Sequence, residues 1–279
     1  MRVLLTGGTG YLGSAVLRTL RERGHDPYAL VRSDKAAQAV TDAGAEALVG
    51  DLADVPWLTR QLAAVDGAIN LAALDAEGED AVIDAAVAAF AGTAKPFIYT
   101  SGLWMWGNGA DITEQSPFQS PPILAWKVER QGRVLRSGIK ASAIAPAVVY
   151  GRGQGLPAGM FTFGPRTDDG AVRLIGDGTQ HWATVHIDDL ADLYLRVLEQ
   201  APGGETYIGA SGVNPTVREM AEAAAGRVAP ETADESRERL GAYFADALLL
   251  DQQAGGLTAR QRLGWNPTHP SVLVELAAR

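Results

Sequence analysis

Short apolar runs recur through the first half of the chain, at residues 3–5, 28–31, 45–49, 68–71, 97–100 and 141–145. None alternates with polar residues, so each predicts a strand covered on both faces, as in a parallel sheet. Between the runs, apolar residues return at spacings of three and four, as in Val16, Leu17 and Leu20 and in Val82, Ile83, Ala86, Val87 and Phe90. Those spacings predict helices with one apolar stripe. Gly24, Gly44 and Gly138 each close a helical stretch before a strand, where a left-handed cap favours a residue without a Cβ. Repeated strand and helix of this kind predict an α/β fold: a Rossmann-type doubly wound parallel sheet that takes its ligands at the carboxyl ends of the strands.

The rhythm breaks after residue 150. A Gly/Pro-rich stretch covers 151–170, a short run at 182–185 precedes a helix over about 188–199, and a further short strand falls near Thr206. Thr216 and Glu219 have capping-box spacing ahead of an Ala-rich helix. Two regions are therefore expected: residues 1–150 as a dinucleotide-binding domain, with 182–200 returning to it, and 151–279 as a smaller, mixed and mostly helical substrate or lid region. Asp188 and Asp189 read as helix caps, and Asp168 and Asp169 beside Gly170 as a turn.

Composition narrows the chemistry. The chain has 279 residues with 24 Lys and Arg against 33 Asp and Glu, a net charge of −9, so polynucleotide binding is not expected. The absence of cysteine excludes disulfides, thiolate nucleophiles and Cys-based metal sites and suits a reducing compartment. No apolar run approaches membrane-spanning length, and a cytoplasmic protein without membrane or nucleic-acid partners is expected. His181 and His186 are five apart, on opposite sides of a strand, with no Cys or third His nearby, so no metal site is expected.

The segment Thr6-Gly7-Gly8-Thr9-Gly10-Tyr11-Leu12-Gly13 follows the first strand and opens a helix. Its G-x-x-G-x-x-G spacing is one residue longer than the G-x-G-x-x-G dinucleotide fingerprint, but it serves the same needs: a tight turn, backbone close to a diphosphate, and helix packed near strand. Free N–H groups at the helix start complete an anion site. At the end of the second strand stand Arg32 and, nearby, Lys35, where an acidic residue would favour NAD(H). An arginine favours the 2′-phosphate, so NADP(H) is the expected cofactor and NAD(H) the alternative.

These features, with Gly50-Asp51-Leu52, Asn70-Leu71-Ala72-Ala73, Ala145-Pro146-Ala147-Val148-Val149-Tyr150-Gly151, Val185 to Ala191 and Leu263-Gly264-Trp265-Asn266-Pro267, resemble the extended short-chain dehydrogenase/reductase family, in its NAD-dependent epimerase/dehydratase branch. The resemblance implies that Asp51 and Leu52 border the adenine, that Ala72 and Ala73 line the cofactor groove, that Pro146 sits near the nicotinamide, and that the assembly is a homodimer.

The catalytic pattern departs from that family. Its Tyr-x-x-x-Lys pair delivers a proton while hydride is transferred, the lysine lowering the phenol's pKa. The lysines here are Lys35, Lys95, Lys127 and Lys140, and the residues four positions earlier are Val31, Ala91, Ile123 and Arg136. Lys127 matches the family lysine, as a contact to the cofactor ribose, while Ile123 takes the tyrosine's place. Gly102 stands where the catalytic hydroxyl usually falls, leaving Ser101 as the nearest candidate. Tyr99, Tyr150, His181 and His186 are the other candidate acids, with His181 ranked first. Trp104, Trp106, Trp126 and Trp182, with Tyr150, fall in segments that the resemblance places around the substrate, and predict an apolar wall for an aromatic or cyclic molecule. The expected function is an NADP(H)-dependent oxidoreductase acting on a small or cyclic substrate, with an atypical proton donor or an acceptor such as an iminium that needs none. The alternatives are a non-catalytic NADP(H) sensor and a redox-neutral epimerase or dehydratase.

Overall fold

The computed structural model describes residues 1–42 and 44–278. Its central sheet has seven parallel strands: β1 (Arg2–Thr6), β2 (Asp26–Val31), β3 (Glu46–Val49), β4 (Gly67–Asn70), β5 (Phe97–Thr100), β6 (Ala141–Pro146) and β7 (Thr206–Gly209). Their spatial order is β7-β6-β5-β4-β1-β2-β3. The order reverses between β1 and β4, which places a switch point where those two strands end. The connecting helices are α1 (Tyr11–Glu22), α2 (Asp34–Asp42), α3 (Val55–Ala63), α4 (Ala76–Phe90), α5 (Ala125–Leu135) and α6 (Ile187–Gln200).

Local chemistry sets these boundaries. Asp54 and Asp75 cap α3 and α4 by accepting the amides of Trp57 at 3.0 Å and Gly78 at 2.9 Å. Gly24 follows the Arg23 C-cap of α1 with φ +77°, as the cap predicted from sequence requires, whereas Gly138, at φ +83°, lies three residues past the end of α5. β4 is buried along its whole length and β1 at every residue but its first, which explains why neither alternates. Leu4, Leu58, Ile83, Phe90, Phe97 and Tyr99 share one core, where each large apolar side chain contributes about 1.5–3 kcal/mol.

Two compact units result, and they interleave along the chain rather than meeting at residue 150. The first comprises residues 1–101, 126–145 and 191–207; the second comprises 102–125, 146–190 and 208–279. The second unit pairs Thr184–His186 with Val148–Gly151, and that strand with Gln154–Gly155. The 182–200 stretch therefore does not return whole to the main sheet: its strand joins this small sheet, and only the later turns of α6 belong to the first unit. The short strand expected near Thr206 does join the main sheet, as edge strand β7. Thr216 caps Val217–Ala225 through the predicted capping box, and Thr232 does the same for Ala233–Leu240. Among the described residues, no helix is long and apolar enough to cross a membrane.

Candidate functional site

The glycine loop closes the end of β1 in a form that side chains cannot occupy. Gly7 has φ +71°, and a Cβ there would lie 2.7 Å from the Leu71 carbonyl. A Cβ on Gly13 would lie 2.0 Å from the Gly7 carbonyl oxygen, so α1 packs directly on the loop backbone. Thr6 Oγ1 donates to Asn70 Oδ1 at 2.5 Å and accepts the amides of Leu71 and Ala72 at 3.2 Å each, which fixes the ends of β1 and β4 together. Thr9 and Gly10 are exposed, and Tyr11 and Leu12 are half-buried. The α1 N-cap is Gly10, with no side-chain cap and no acidic residue in the first turn. A helix start left open in this way, beside a cradle that a Cβ would fill, fits a dinucleotide diphosphate.

At the end of β2, Arg32 and Lys35 are exposed, whereas Asp26 lies at that strand's opposite end. Ser33 accepts the Ala36 amide at 3.3 Å where α2 begins. Asp51 turns its carboxylate onto the Ala53 amide at 3.0 Å, and half-buried Leu52 packs on the core. Ala72 is half-buried, Ala73 exposed and Pro146 half-buried at the end of β6.

Lys127 lies in the first unit and is not free. Its ammonium pairs with Oε1 of Glu79, a carboxylate only 1% exposed on α4, while Tyr99 Oη donates to Oε2. The Lys127 Nζ also sits 4.7 Å from the centre of the half-buried Trp126 ring, which Arg130 approaches at 5.3 Å. Tyr99 is fully buried, and burial, followed by the neighbouring Glu79 charge, pushes its phenol far above the ordinary value. It keeps its proton and is no acid for neutral pH. Ser101 Oγ donates to the Ile144 carbonyl at 3.3 Å, a strand-end role. A Cβ on Gly102 would meet nothing within 4 Å, so its missing hydroxyl is not a matter of space.

In the second unit the aromatic residues divide. Trp104 is half-buried and meets the exposed Phe244 edge-on at 6.3 Å. The other three expected wall residues there are committed to the interior. Trp106 is 1% exposed against Phe118; Trp182 is 2% exposed, with its indole N–H donated to the Leu248 carbonyl; buried Tyr150 donates to the Pro270 carbonyl at 2.7 Å. Burial also raises the Tyr150 phenol well beyond its usual value, first by desolvation and then through Asp189 and Glu275. These three act as core, because each ring is enclosed and two of the three polar tips already have backbone partners.

Among the candidate acids, His181 has a ring nitrogen within hydrogen-bond distance of a carboxylate. Asp251 accepts both its backbone amide and its Nδ1, each at 2.9 Å, which leaves Nε2 as the other ring nitrogen. Asp251, which sequence reading missed, is itself placed by the amide it donates to Asn108. His186 accepts the Asp188 amide at the start of α6. Asp188 pairs with Arg152, while Asp189 accepts the amides of Thr268 and His269 and the His269 ring, so Asp189 clips the C-terminal segment rather than capping its own helix. Atoms of His186, Asp188 and His269 lie within 4.8 Å of one another. The two rings stack at 4.1 Å with planes 7° apart, so their in-plane lone pairs cannot converge on one ion.

Comparison with known proteins gives the family. Residues 3–209 match the profile of the NAD dependent epimerase/dehydratase family. The chain belongs to that family. An uncharacterized protein of Schizosaccharomyces pombe, C2A9.02, is 31% identical over all of this chain and 99% of its own. A 2-alkyl-3-oxoalkanoate reductase of Stenotrophomonas maltophilia is 30% identical over 79% of this chain and 73% of its own. The human epimerase family protein SDR39U1 (isoform 2), crystallised with NADPH, shares the fold at a TM-score of 0.77, with 22% identity and all of both chains covered. Within the epimerase/dehydratase family this chain is an NAD(P)-binding, oxidoreductase-like member. It departs from the family's catalytic pattern at Ile123, which is 40% exposed and offers no proton, and at Gly102.

Proposed function

We propose that this chain is an NADP(H)-dependent reductase that passes hydride to a small or cyclic organic electrophile without a Tyr-x-x-x-Lys pair. The observation that carries the reading is the glycine cradle at the uncapped start of α1. The bound dinucleotide supplies the hydride; the chain's residues do the rest. Loop amides grip the diphosphate, Arg32 with Lys35 nearby takes the 2′-phosphate, and Lys127 donates to a ribose hydroxyl. A carbonyl acceptor gains negative charge on oxygen as hydride arrives and needs a proton. His181, whose Nδ1 pairs with Asp251 at 2.9 Å, is the donor assigned to it in this reading. An iminium acceptor is neutralised by hydride alone and bypasses His181.

The 2-alkyl-3-oxoalkanoate reductase among the relatives supports a reductase, and the solved neighbours, one named with NADPH and others with NAD, support dinucleotide binding, so the NADP(H) preference is carried by Arg32 alone. A homodimer is the proposed assembly, which sedimentation velocity tests. The central experiment strips the purified chain of cofactor and titrates NADPH and NADH by calorimetry. It then follows NADPH oxidation with a panel of cyclic and aromatic ketones and imines. The reading expects NADPH to bind more tightly than NADH and at least one acceptor to be reduced. Arg32→Glu is expected to weaken NADPH about tenfold or more, the cost of a lost charge-assisted contact plus a repulsion, and to leave NADH unchanged. Absence of heat from both dinucleotides overturns it, as does turnover without net change in nicotinamide absorbance, which marks a redox-neutral epimerase or dehydratase.

A further inference from the structure

Glu79 occupies a position where a carboxylate is costly. It lies in the first turns of α4, on the stripe that also carries Val82, Ile83 and Ala86, at 1% exposure. Burial of such a group is tolerated only when its oxygens find donors. Here each oxygen has one: the Lys127 ammonium on Oε1 and the Tyr99 phenol on Oε2. Tyr99 comes from β5 and Lys127 from α5, so Glu79 joins three elements of the first unit at one point.

The pair is not what fastens α5 to α4. An outer ladder already does so, with Arg130 and Arg133 both on Asp80, Arg133 also on Asp84, and Arg130 Nε donating to the Ala76 carbonyl at 3.1 Å. The buried link is therefore a second tie between helices that the outer pairs also join. Its distinctive effect falls on Lys127, a long flexible cation that is held at one end by a fixed carboxylate and steadied beneath by the Trp126 ring.

We propose that Glu79 is the positioning residue for Lys127, holding its ammonium so that the remaining N–H groups meet the cofactor ribose. This rests on the reading given above, in which Lys127 contacts that ribose. Glu79 also cancels the lysine's charge. In a Tyr-x-x-x-Lys pair the lysine works electrostatically, lowering a phenol's pKa, and a carboxylate on the ammonium would defeat that purpose. With Ile123 in the tyrosine's place there is no phenol to tune, so a neutralised lysine costs the chain nothing and gains a fixed geometry. Glu79 and Ile123 are thus two parts of one change, from an electrostatic lysine to a positional one.

The test measures binding of NADPH and of adenosine 2′,5′-bisphosphate, which lacks the nicotinamide ribose, by calorimetry for wild type, Glu79→Gln, Lys127→Gln and the double variant. Glu79→Gln and Lys127→Gln are each expected to weaken NADPH roughly tenfold and to leave the bisphosphate unchanged, and the double variant is expected to be no weaker than Lys127→Gln. Glu79→Asp withdraws the carboxylate by one methylene while keeping its charge, and is expected to weaken NADPH severalfold even where Glu79→Gln does not fold. Wild-type NADPH affinity in the folded Glu79 variants overturns the inference, and so do factors that multiply in the double variant. Equal loss of NADPH and bisphosphate also overturns it, since that marks a structural role. Failure of wild type to bind either ligand overturns the cofactor reading itself and is thereby distinguished.

Discussion

Gly13→Ala sets two effects of opposite sign against each other. Gly13 is the third residue of α1, where alanine is intrinsically preferred to glycine by about 1 kcal/mol, so helix propensity alone predicts a more stable protein. The structure predicts the reverse. The new Cβ would lie 2.0 Å from Gly7 O, 2.7 Å from Gly7 C and 2.9 Å from Gly8 Cα, all backbone atoms, whereas ordinary contact begins at 3.4 Å. Helix or loop must withdraw by more than 1 Å. Overpacking of this kind costs about 1–3 kcal/mol, which cancels or exceeds the propensity gain and leaves a net loss of up to about 2 kcal/mol. For a chain of this size that lowers Tm by up to roughly 4 °C. Binding suffers more, because the atoms that move carry the amides proposed to hold the diphosphate. A loss of at least about 1.4 kcal/mol, tenfold in Kd, is expected for NADPH. Gly10→Ala is the comparison: its φ of −77° suits any residue and its Cβ would stand 3.3 Å from Gly7 O, a slight crowding beside the poorer N-cap, so a loss of about 0.5–1 kcal/mol without displacement of the loop backbone is expected. Differential scanning fluorimetry with and without NADPH reads both quantities. A Gly13→Ala protein with raised Tm and wild-type affinity refutes the tight cradle.

Further outcomes are expected in the second unit. His186 is held below the ordinary histidine value of 6.5, chiefly by burial and then by the stacked His269, against the opposing pull of Asp188, Asp189 and Glu275. The unfolded chain therefore takes up this proton first. The His186 contribution is complete above about pH 6.5 and is lost as pH falls below it, so urea midpoints should decline with acidification less steeply in His186→Gln than in wild type. Asp189→Ala removes the acceptor for two amides and one imidazole and should cost about 2–3 kcal/mol in urea denaturation, an effect that Asp189→Asn recovers only in part. His181→Gln should reduce kcat with ketone acceptors about a hundredfold while leaving NADPH affinity and iminium reduction intact; equal loss on both acceptor types would remove His181 from the acid's role.

Much of the first unit is legible in the sequence because its central strands are buried on both faces, although edge strand β3, expected to be covered likewise, is only half-buried, with Val49 exposed. An apolar run bounded by glycine and followed by a helical period has few other meanings, and 3–5, 28–31 and 97–100 all lie within sheet strands. What the pattern cannot carry is a partner. The run ending at Val185 looks like those of the main sheet, yet pairs with Val148–Gly151, because three apolar residues do not specify which edge they join. The tryptophans show the same limit. Their clustering around 104–126 is visible, but which rings are enclosed depends on contacts made with residues such as Leu248 and Phe118. Glu79 was missed although a signal was present: it falls three and four positions before Val82 and Ile83, on the face whose apolar period predicts burial. A carboxylate on such a stripe asks for a buried cation, and Lys127 was already singled out. Asp189 was misread because an acidic residue at a helix start is usually a cap, and the amides that claimed it lie some eighty residues on.

The interleaving of the two units governs how the polypeptide can be made and cut. The chain passes from one unit to the other at 101, 125, 145, 190 and 207, so no contiguous fragment contains one unit whole without segments of the other. Val272 and Leu276 belong to the same core as Val148 and Trp182, and Trp265 donates its indole N–H to the Asp189 carbonyl. On the ribosome that core must wait, incomplete, until Val272 and Leu276 have cleared the exit tunnel. Removing the segment that carries Val272 and Leu276 would strip a hydrophobic layer from that core, and a protease that nicks ahead of it would release an aggregation-prone product.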